Sequence, residues 1–211
     1  MKTSLPSEVI DLYDGHASNY SKMMDSEIDL PMYADILSRL ATRLRGHEGP
    51  VIDTACGPGH MLARYIERYD TDRAVIGVDL SPQMVGLARE RLGGDVSIYE
   101  GDMTKLSQFE PNSAAAIINF FALQHLSSDV IPQALFRWAD VLKTGGQLIL
   151  ATWEGEGSVD YGDAFDIVAA RYTKEQIEGW TTAAGFTIDR CEVKDVEGFP
   201  MKAIYLEATA T

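Results

Sequence analysis

From residue 49 onward, short apolar runs alternate with amphipathic stretches, the rhythm of a parallel sheet with helices on both faces. The runs predict strands near 50–54, 74–79, 95–99, 113–119, 146–152, 186–193 and 202–209. The helices between them carry end signals. Ser81 followed by Pro82 reads as an N-cap with proline at the first helical position, and Gly93 with Gly94 closes that helix. Thr173 with Gln176 forms a capping box before a helix that stops at Gly185, and Gly145 with Gly146 is expected to end the helix running through PQALFRWADVLK. Before residue 49 the pattern changes to two helical segments, 7–24 and 31–45, with no strand between them. Residues 1–48 therefore read as a helical cap on the same domain as the core, 49–211. The segment 153–165 has no period and many glycines and carboxylates, so it reads as a loop.

Composition narrows the class. A chain of 211 residues is long enough to bury a core as one domain without disulfides, and its two cysteines form no framework, which fits a reducing, cytoplasmic setting. The N-terminal stretch lacks the apolar core of a signal peptide, and the longest apolar run, 114–123, is far short of the roughly 20 residues that span a bilayer. A soluble protein without membrane partners is expected. The formal charge of −14, with no basic stripe, repels phosphate backbones and argues against nucleic acid, although it also serves solubility alone.

The stretch 51–60, VIDTACGPGH, joins a predicted strand ending at Asp53 to a turn with Gly57 and Gly59 and a helix beginning near His60. Glycine lets the backbone approach a ligand where a Cβ would collide, and the helix start offers unpaired N–H groups. Asp79 closes the next strand 20 residues beyond Gly59, the position from which a carboxylate accepts both hydroxyls of a ribose. A dinucleotide fits poorly: the third small residue of its fingerprint is replaced by Leu62, and Asp53, four residues before Gly57, would repel a pyrophosphate. A ligand lacking phosphate and carrying positive charge suits this turn better, as S-adenosylmethionine (SAM) would.

On these residues the chain resembles the class I SAM-dependent methyltransferases. VIDTACGPGH is similar to their first motif and VIGVDLSPQMV to their second, with EGDMTKL, NFFALQHL and LKTGGQLIL following in family order across about residues 50–152. The resemblance is nearest to the small-molecule branch that includes quinone-biosynthesis enzymes, whose N-terminal cap YDGHASNYSKM also resembles. Ala55 stands where the family carries glycine. The resemblance implies a Rossmann-like α/β fold with a seven-stranded, mostly parallel sheet and one antiparallel strand, 202–209, beside 186–193. It implies SAM as cofactor, S-adenosylhomocysteine as product and a small-molecule acceptor. Asp53 would lie near the methionine ammonium, Ala55, Gly57 and Gly59 under the methionine and ribose, and Asp79 on the ribose hydroxyls. Asp102 would accept from the adenine amino group, with Leu80 and Met103 sandwiching the ring and Met84 as a further cofactor-binding candidate. Asn119 and Phe120 would face the methionyl end. For Leu80 and Met103, plain core packing is the competing reading.

Methyl transfer is an in-line displacement in which the protein aligns the groups and excludes water, and a base helps where the acceptor is a hydroxyl or carbon acid. His125 is the candidate base, with a backbone-tied histidine as the alternative; His16, His47 and His60 are weaker candidates. Tyr20 joins it as a catalytic and cofactor-binding candidate, because rings near a sulfonium stabilise it by cation–π attraction. Tyr13, Phe121, Trp153 and Tyr161 are the substrate candidates, against core packing. Glu154, Glu156, Asp160, Asp163 and Asp166 would draw a cationic amine or merely solvate a loop. No metal-ligand spacing is present. N- or O-methylation of a small acceptor is the expected activity, with a C-methyltransferase less favoured. A SAM-binding sensor or partner subunit without turnover and a nicotinamide oxidoreductase are the rivals. The oligomeric state is open between monomer and homodimer.

Overall fold

A computed structural model describes residues 3–159, 167–196 and 200–211. Two helices come first, α1 (Pro6–Glu27) and α2 (Pro31–Arg43). Then follow β1 (Val51–Asp53), α3 (His60–Arg68), β2 (Val75–Asp79), α4 (Pro82–Leu92), β3 (Ser97–Glu100) and β4 (Ala114–Phe120). The chain continues through α5 (Ile131–Val141), β5 (Leu142–Trp153), α6 (Lys174–Ala183), β6 (Phe186–Asp195) and β7 (Lys202–Ala210).

The strands form one sheet in the order β3-β2-β1-β4-β5-β7-β6. All pairings are parallel except those of β7, which runs antiparallel to both β5 and β6. The expected α/β architecture and its single antiparallel strand are therefore observed. The order reverses between β1 and β4, and ligands of open α/β sheets bind beyond the strand ends at such a reversal.

Alternation along the central strands feeds a core on each face. Val51, Ile118 and Ile149 pack on one side with Leu37, Leu62 and Tyr65; Ile52, Ile117 and Leu148 pack on the other with Leu135 and Trp138. Buried on both faces, β4 reads AAAIINF, an unbroken apolar run up to its asparagine. The helix signals act as expected at α4, where Ser81 Oγ accepts from Met84 N at 3.1 Å and Gly93 closes the helix at φ 80°, and at α6, where the Thr173–Gln176 box forms.

Gly145 and Gly146 do not end α5. That helix stops at Val141 and β5 begins at once, so both glycines lie inside the strand. Gly146 serves close approach, since a Cβ there would stand 2.7 Å from Lys143 O and 3.2 Å from Ala115 O, while Gly145 takes φ 81°, which L side chains rarely adopt. The loop after β5 is partly tied, with bridges from Glu154 to Tyr172 and from Ser158 to Ala170. No described helix is long and apolar enough to cross a membrane.

The two N-terminal helices pack on the core through apolar residues such as Met24, Ile36, Leu37 and Leu40, and ion pairs add to that. From α2, Arg39 and Arg43 reach the buried Glu207 of β7, with Arg39 Nη2 at 2.6 Å. From α1, Asp25 accepts from Arg91 and meets His60 Nε2, both at 2.8 Å, and Asp14 Oδ1 accepts from Ser81 Oγ at 2.5 Å.

Trp138 of α5 is fully buried, and its Nε1 donates to Met103 O at 2.7 Å, fixing the loop after β3. Trp138→Ala is expected to lower unfolding free energy by about 3–5 kcal/mol, read from urea denaturation. A loss under about 1 kcal/mol would show that the ring is not core packing.

Candidate functional site

The turn after β1 lies at the sheet's reversal point and is held from both sides: Cys56 N donates to Val78 O at 2.9 Å and Thr54 N to Ile118 O at 3.0 Å. Gly57 and Gly59 take φ values of 50° and 83°, which L side chains rarely adopt. Their surroundings separate their roles. A Cβ on Gly59 would come within 2.9 Å of Leu92 Cδ1 and 3.4 Å of Ala88 Cα, so Gly59 lets α4 approach the turn. A Cβ on Gly57 would meet only Tyr20 Cε1, at 3.7 Å, so this glycine faces open space under the Tyr20 ring.

Asp79 organises the turn. Its Oδ2 accepts from Gly57 N at 2.8 Å and its Oδ1 from Ser81 N at 2.9 Å, tying the first loop to the start of α4. Burial raises its pKa, while those donors oppose the shift. Asp53 stands below, 2% exposed; Ala55 N donates to its Oδ1 at 3.2 Å, and burial pushes its pKa up to about 7. Asp102 is the contrast. Burial works against its charged form, but hydrogen bonds from the Thr104 hydroxyl and amide, with Lys105 beside them, outweigh that and lower its pKa.

These groups open onto a cavity of about 500 Å³ beyond the strand ends. One side is built from the β1 and β2 ends: Thr54, Ala55, Gly57, Asp79, Leu80 and Met84. Asp102 and Met103 follow from the β3 loop. The segment after β4 supplies Phe120, Phe121 and His125, and α1 closes the cavity with Tyr13 and Tyr20. Phe121 adopts φ 49°, uncommon for a bulky residue and of the kind that gathers at functional sites. Its N–H donates to Ala151 O at 2.8 Å, and Gln124 Nε2 donates to its carbonyl at 2.6 Å.

Tyr13 and His125, far apart in sequence, meet here with Tyr13 Oη 2.9 Å from His125 Nε2. Their rings cross at 88°, and Tyr20 stands edge-on to Tyr13 at 5.9 Å. His125 lies on a short 3-10 turn, Leu123–His125, its Nδ1 has no partner among the described residues, and burial holds its pKa down at about 4. The ring is therefore neutral near pH 7.

Asp53, Gly59, Asn119 and Trp153, named from sequence, are not on this wall. Asn119 lies beneath it, fully buried, donating to Thr54 Oγ1 at 2.9 Å and Met103 Sδ at 3.3 Å, with Oδ1 unpaired. Trp153 backs Phe121 with ring centroids 4.8 Å apart. Tyr161, Asp160, Asp163 and Asp166 lie outside the described residues. Of the other histidines, His16 bonds Leu12 O and His60 pairs with Asp25, both away from the cavity. The sequence reading missed the first turn of α1, where Leu5, Val9 and Ile10 line the cavity, and Leu126 and Val130 opposite. Only their apolar character signalled them. Among the described residues no group of His, Cys, Asp or Glu is placed to hold a metal ion.

The donor set suits a cationic nucleoside. Two carboxylates line the cavity and, among the described residues, no lysine or arginine does, so a diphosphate would meet negative charge with nothing to neutralise it. Hydroxyls find acceptors at Asp79, and a positive centre finds the Tyr20 face.

Comparison with known proteins agrees with this geometry. Residues 51–146 match the family model of a methyltransferase domain. An uncharacterized methyltransferase from Bacillus thuringiensis (strain Al Hakam) is 30% identical over 146 residues, 66% of this chain; the match spans 65% of that relative's length. Among solved structures, magnesium protoporphyrin IX methyltransferase from Synechocystis PCC 6803 with bound SAM aligns over all of both chains at 17% identity and TM-score 0.73. The 1,6-didemethyltoxoflavin-N1-methyltransferase of Burkholderia thailandensis, with its acceptor and S-adenosylhomocysteine bound, aligns over 100% of this chain and 92% of its own at 20% identity and TM-score 0.74.

Asp79→Ala is expected to weaken SAM at least tenfold by calorimetry, about 1.4 kcal/mol; unchanged affinity would remove the ribose assignment. Asp53 binds its proton more tightly folded than unfolded, so its contribution to stability is present below the ordinary carboxylate range and is lost as pH rises through about 7. The stability of the wild type relative to Asp53→Asn, measured by urea unfolding, is therefore expected to fall between pH 4 and 7.5. A flat difference would place Asp53 in contact with water.

Proposed function

We propose that the chain is a class I SAM-dependent methyltransferase, an enzyme moving a methyl group from SAM to the nitrogen or oxygen of a small molecule. The observation that carries this reading is the Asp79 carboxylate tied to the Gly57 amide at 2.8 Å beside a cavity with no lining cation among the described residues. When bound, the cofactor supplies a methyl group on a positively charged sulfur.

The residues divide the work by position. Asp79 takes the ribose hydroxyls while its backbone donors hold the turn rigid. Asp102 takes the adenine amino group, and Leu80, Met84 and Met103 give the ring apolar faces. The backbone at Ala55 and Gly57 leaves room for the methionine chain, Asn119 supports Thr54 and Met103 from below, and Asp53 sits behind the turn as the nearest buried carboxylate to the ammonium. Ala55 in place of glycine is accommodated, since its amide makes an ordinary bond to Asp53 Oδ1.

Phe120 and Phe121 turn the chain after β4 toward the sulfur end, with Trp153 bracing Phe121. The two N-terminal helices act within the same domain as the core, because Tyr13 and Tyr20 of α1 complete the wall and exclude water. Tyr20, above Gly57, is the ring placed to face the sulfonium; Tyr13 and His125 are the polar groups at the acceptor end. The 1,6-didemethyltoxoflavin-N1-methyltransferase, similar over this whole chain, supports a small acceptor.

Incubation with methyl-labelled SAM and a panel of amines, phenols and carboxylic acids tests the reading. Labelled product with inhibition by S-adenosylhomocysteine is expected. SAM binding without product from any acceptor class would favour a sensor or partner subunit instead.

A further inference from the structure

The sheet order divides the cavity. The ends of β2 and β3, with their carboxylates, lie to one side of β1, while the segment after β4 lies to the other, faced by the first turns of α1. On that second side the described wall is Leu5, Val9, Ile10, Ala122, Leu126 and Val130, with Thr3, Ser4, Ser127 and the Tyr13–His125 pair as its polar groups. The described lining holds no lysine or arginine, and its carboxylates, Asp79 and Asp102, belong to the cofactor side. An acceptor carrying carboxylate, phosphate or ammonium would lose its hydration with no countercharge from the described wall, which costs several kcal/mol per ion. The rim carries apolar side chains, with the Glu8 carboxylate accepting from Leu5 N at 2.6 Å. Leu5 and Val168 are both exposed, and the backbone between them is zipped by Ser4 N donating to Val168 O at 2.9 Å and Val168 N to Ser4 Oγ at 2.8 Å.

We propose that the acceptor is an uncharged, largely apolar molecule bearing a weakly acidic hydroxyl, a phenol or enol, which enters past Leu5 and presents its oxygen to Tyr13 and His125. This deepens the methyltransferase reading above and rests on it. With the imidazole proton on Nδ1, His125 Nε2 accepts from the Tyr13 hydroxyl. The acceptor's O–H proton passes to Tyr13 Oη as the Tyr13 proton passes to His125 Nε2. In the same step the oxygen forms its bond to the methyl carbon and the carbon–sulfur bond breaks with its electron pair left on sulfur, so the imidazolium charge appears only as the sulfonium charge disappears. Sulfonium becomes thioether, hydroxyl becomes methyl ether, and the proton leaves His125 for water. An amine reacting through its neutral lone pair needs none of this relay, which is why the pair points to oxygen.

Three phenols matched in size test the charge rule: 4-propylphenol, 3-(4-hydroxyphenyl)propionate and tyramine. Calorimetric binding to protein saturated with S-adenosylhomocysteine and methyl transfer from labelled SAM are read for each. The expected result is that 4-propylphenol binds at least tenfold more tightly than either charged phenol and is methylated with at least tenfold higher kcat/KM. Equal or better performance by a charged member, or no binding of 4-propylphenol, overturns the proposal. His125→Gln tests the relay. Its kcat on 4-propylphenol is expected to fall at least 100-fold, within the range for general base catalysis. Binding of 4-propylphenol to the His125→Gln protein saturated with S-adenosylhomocysteine is expected to change less than threefold; a loss of binding as large as the loss of kcat would mean His125 only holds the wall. Should S-adenosylhomocysteine itself fail to bind, the methyltransferase reading falls, whereas its binding with the wrong acceptor preference sinks this inference alone.

Discussion

One hydrogen bond organises the ligand end of the molecule: Gly57 N donating to the Asp79 carboxylate across the gap between the first two strands. It spans the turn that leaves β1 at the point where the sheet changes direction, and it requires Gly57 in a left-handed conformation so that the amide can aim at β2. The same carboxylate takes the amide of Ser81, so one side chain sets both the turn and the start of α4. Ser81 in turn caps that helix and donates to Asp14 of α1. The roof over the cavity is thus registered to its floor through three linked polar groups, with the buried Ser81 at their centre.

That arrangement explains the division of charge. Buried carboxylates without cations nearby are expensive, and Asp53 and Asp79 both have raised pKa values because of burial. Such a site gains from a ligand that brings positive charge and hydroxyl donors, and it penalises a phosphorylated one. The family's cofactor meets that requirement. On the far side of β1 the opposite holds: an apolar wall and one neutral imidazole, where charge would be a burden on anything entering.

Much of this was legible where the physics is local. The turn glycines, Asp79, the Ser81 cap and the Thr173 box are set by residues a few positions apart, and all lie where their spacing implied. The alternation of strands gave the sheet, and the family resemblance gave the antiparallel β7. What was not legible depends on contacts between distant segments. Tyr13 and His125 were named separately, but only the seating of α1 makes them partners. Gly145 and Gly146 looked like a helix stop because glycine often serves as one; here the demand, inside a strand, is a positive φ at Gly145 and close backbone approach at Gly146. Trp153 and Asn119 share the pocket's neighbourhood, yet packing sets them behind its lining, and the apolar first turn of α1 carried no signal beyond its hydrophobicity.

The most direct test is a crystal structure of the protein grown with S-adenosylhomocysteine. The account predicts the nucleoside in the cavity beneath α1, its ribose hydroxyls within hydrogen-bonding distance of Asp79 and its amino acid end over Gly57. Density for the nucleoside anywhere else, or a ribose turned away from Asp79, would contradict it.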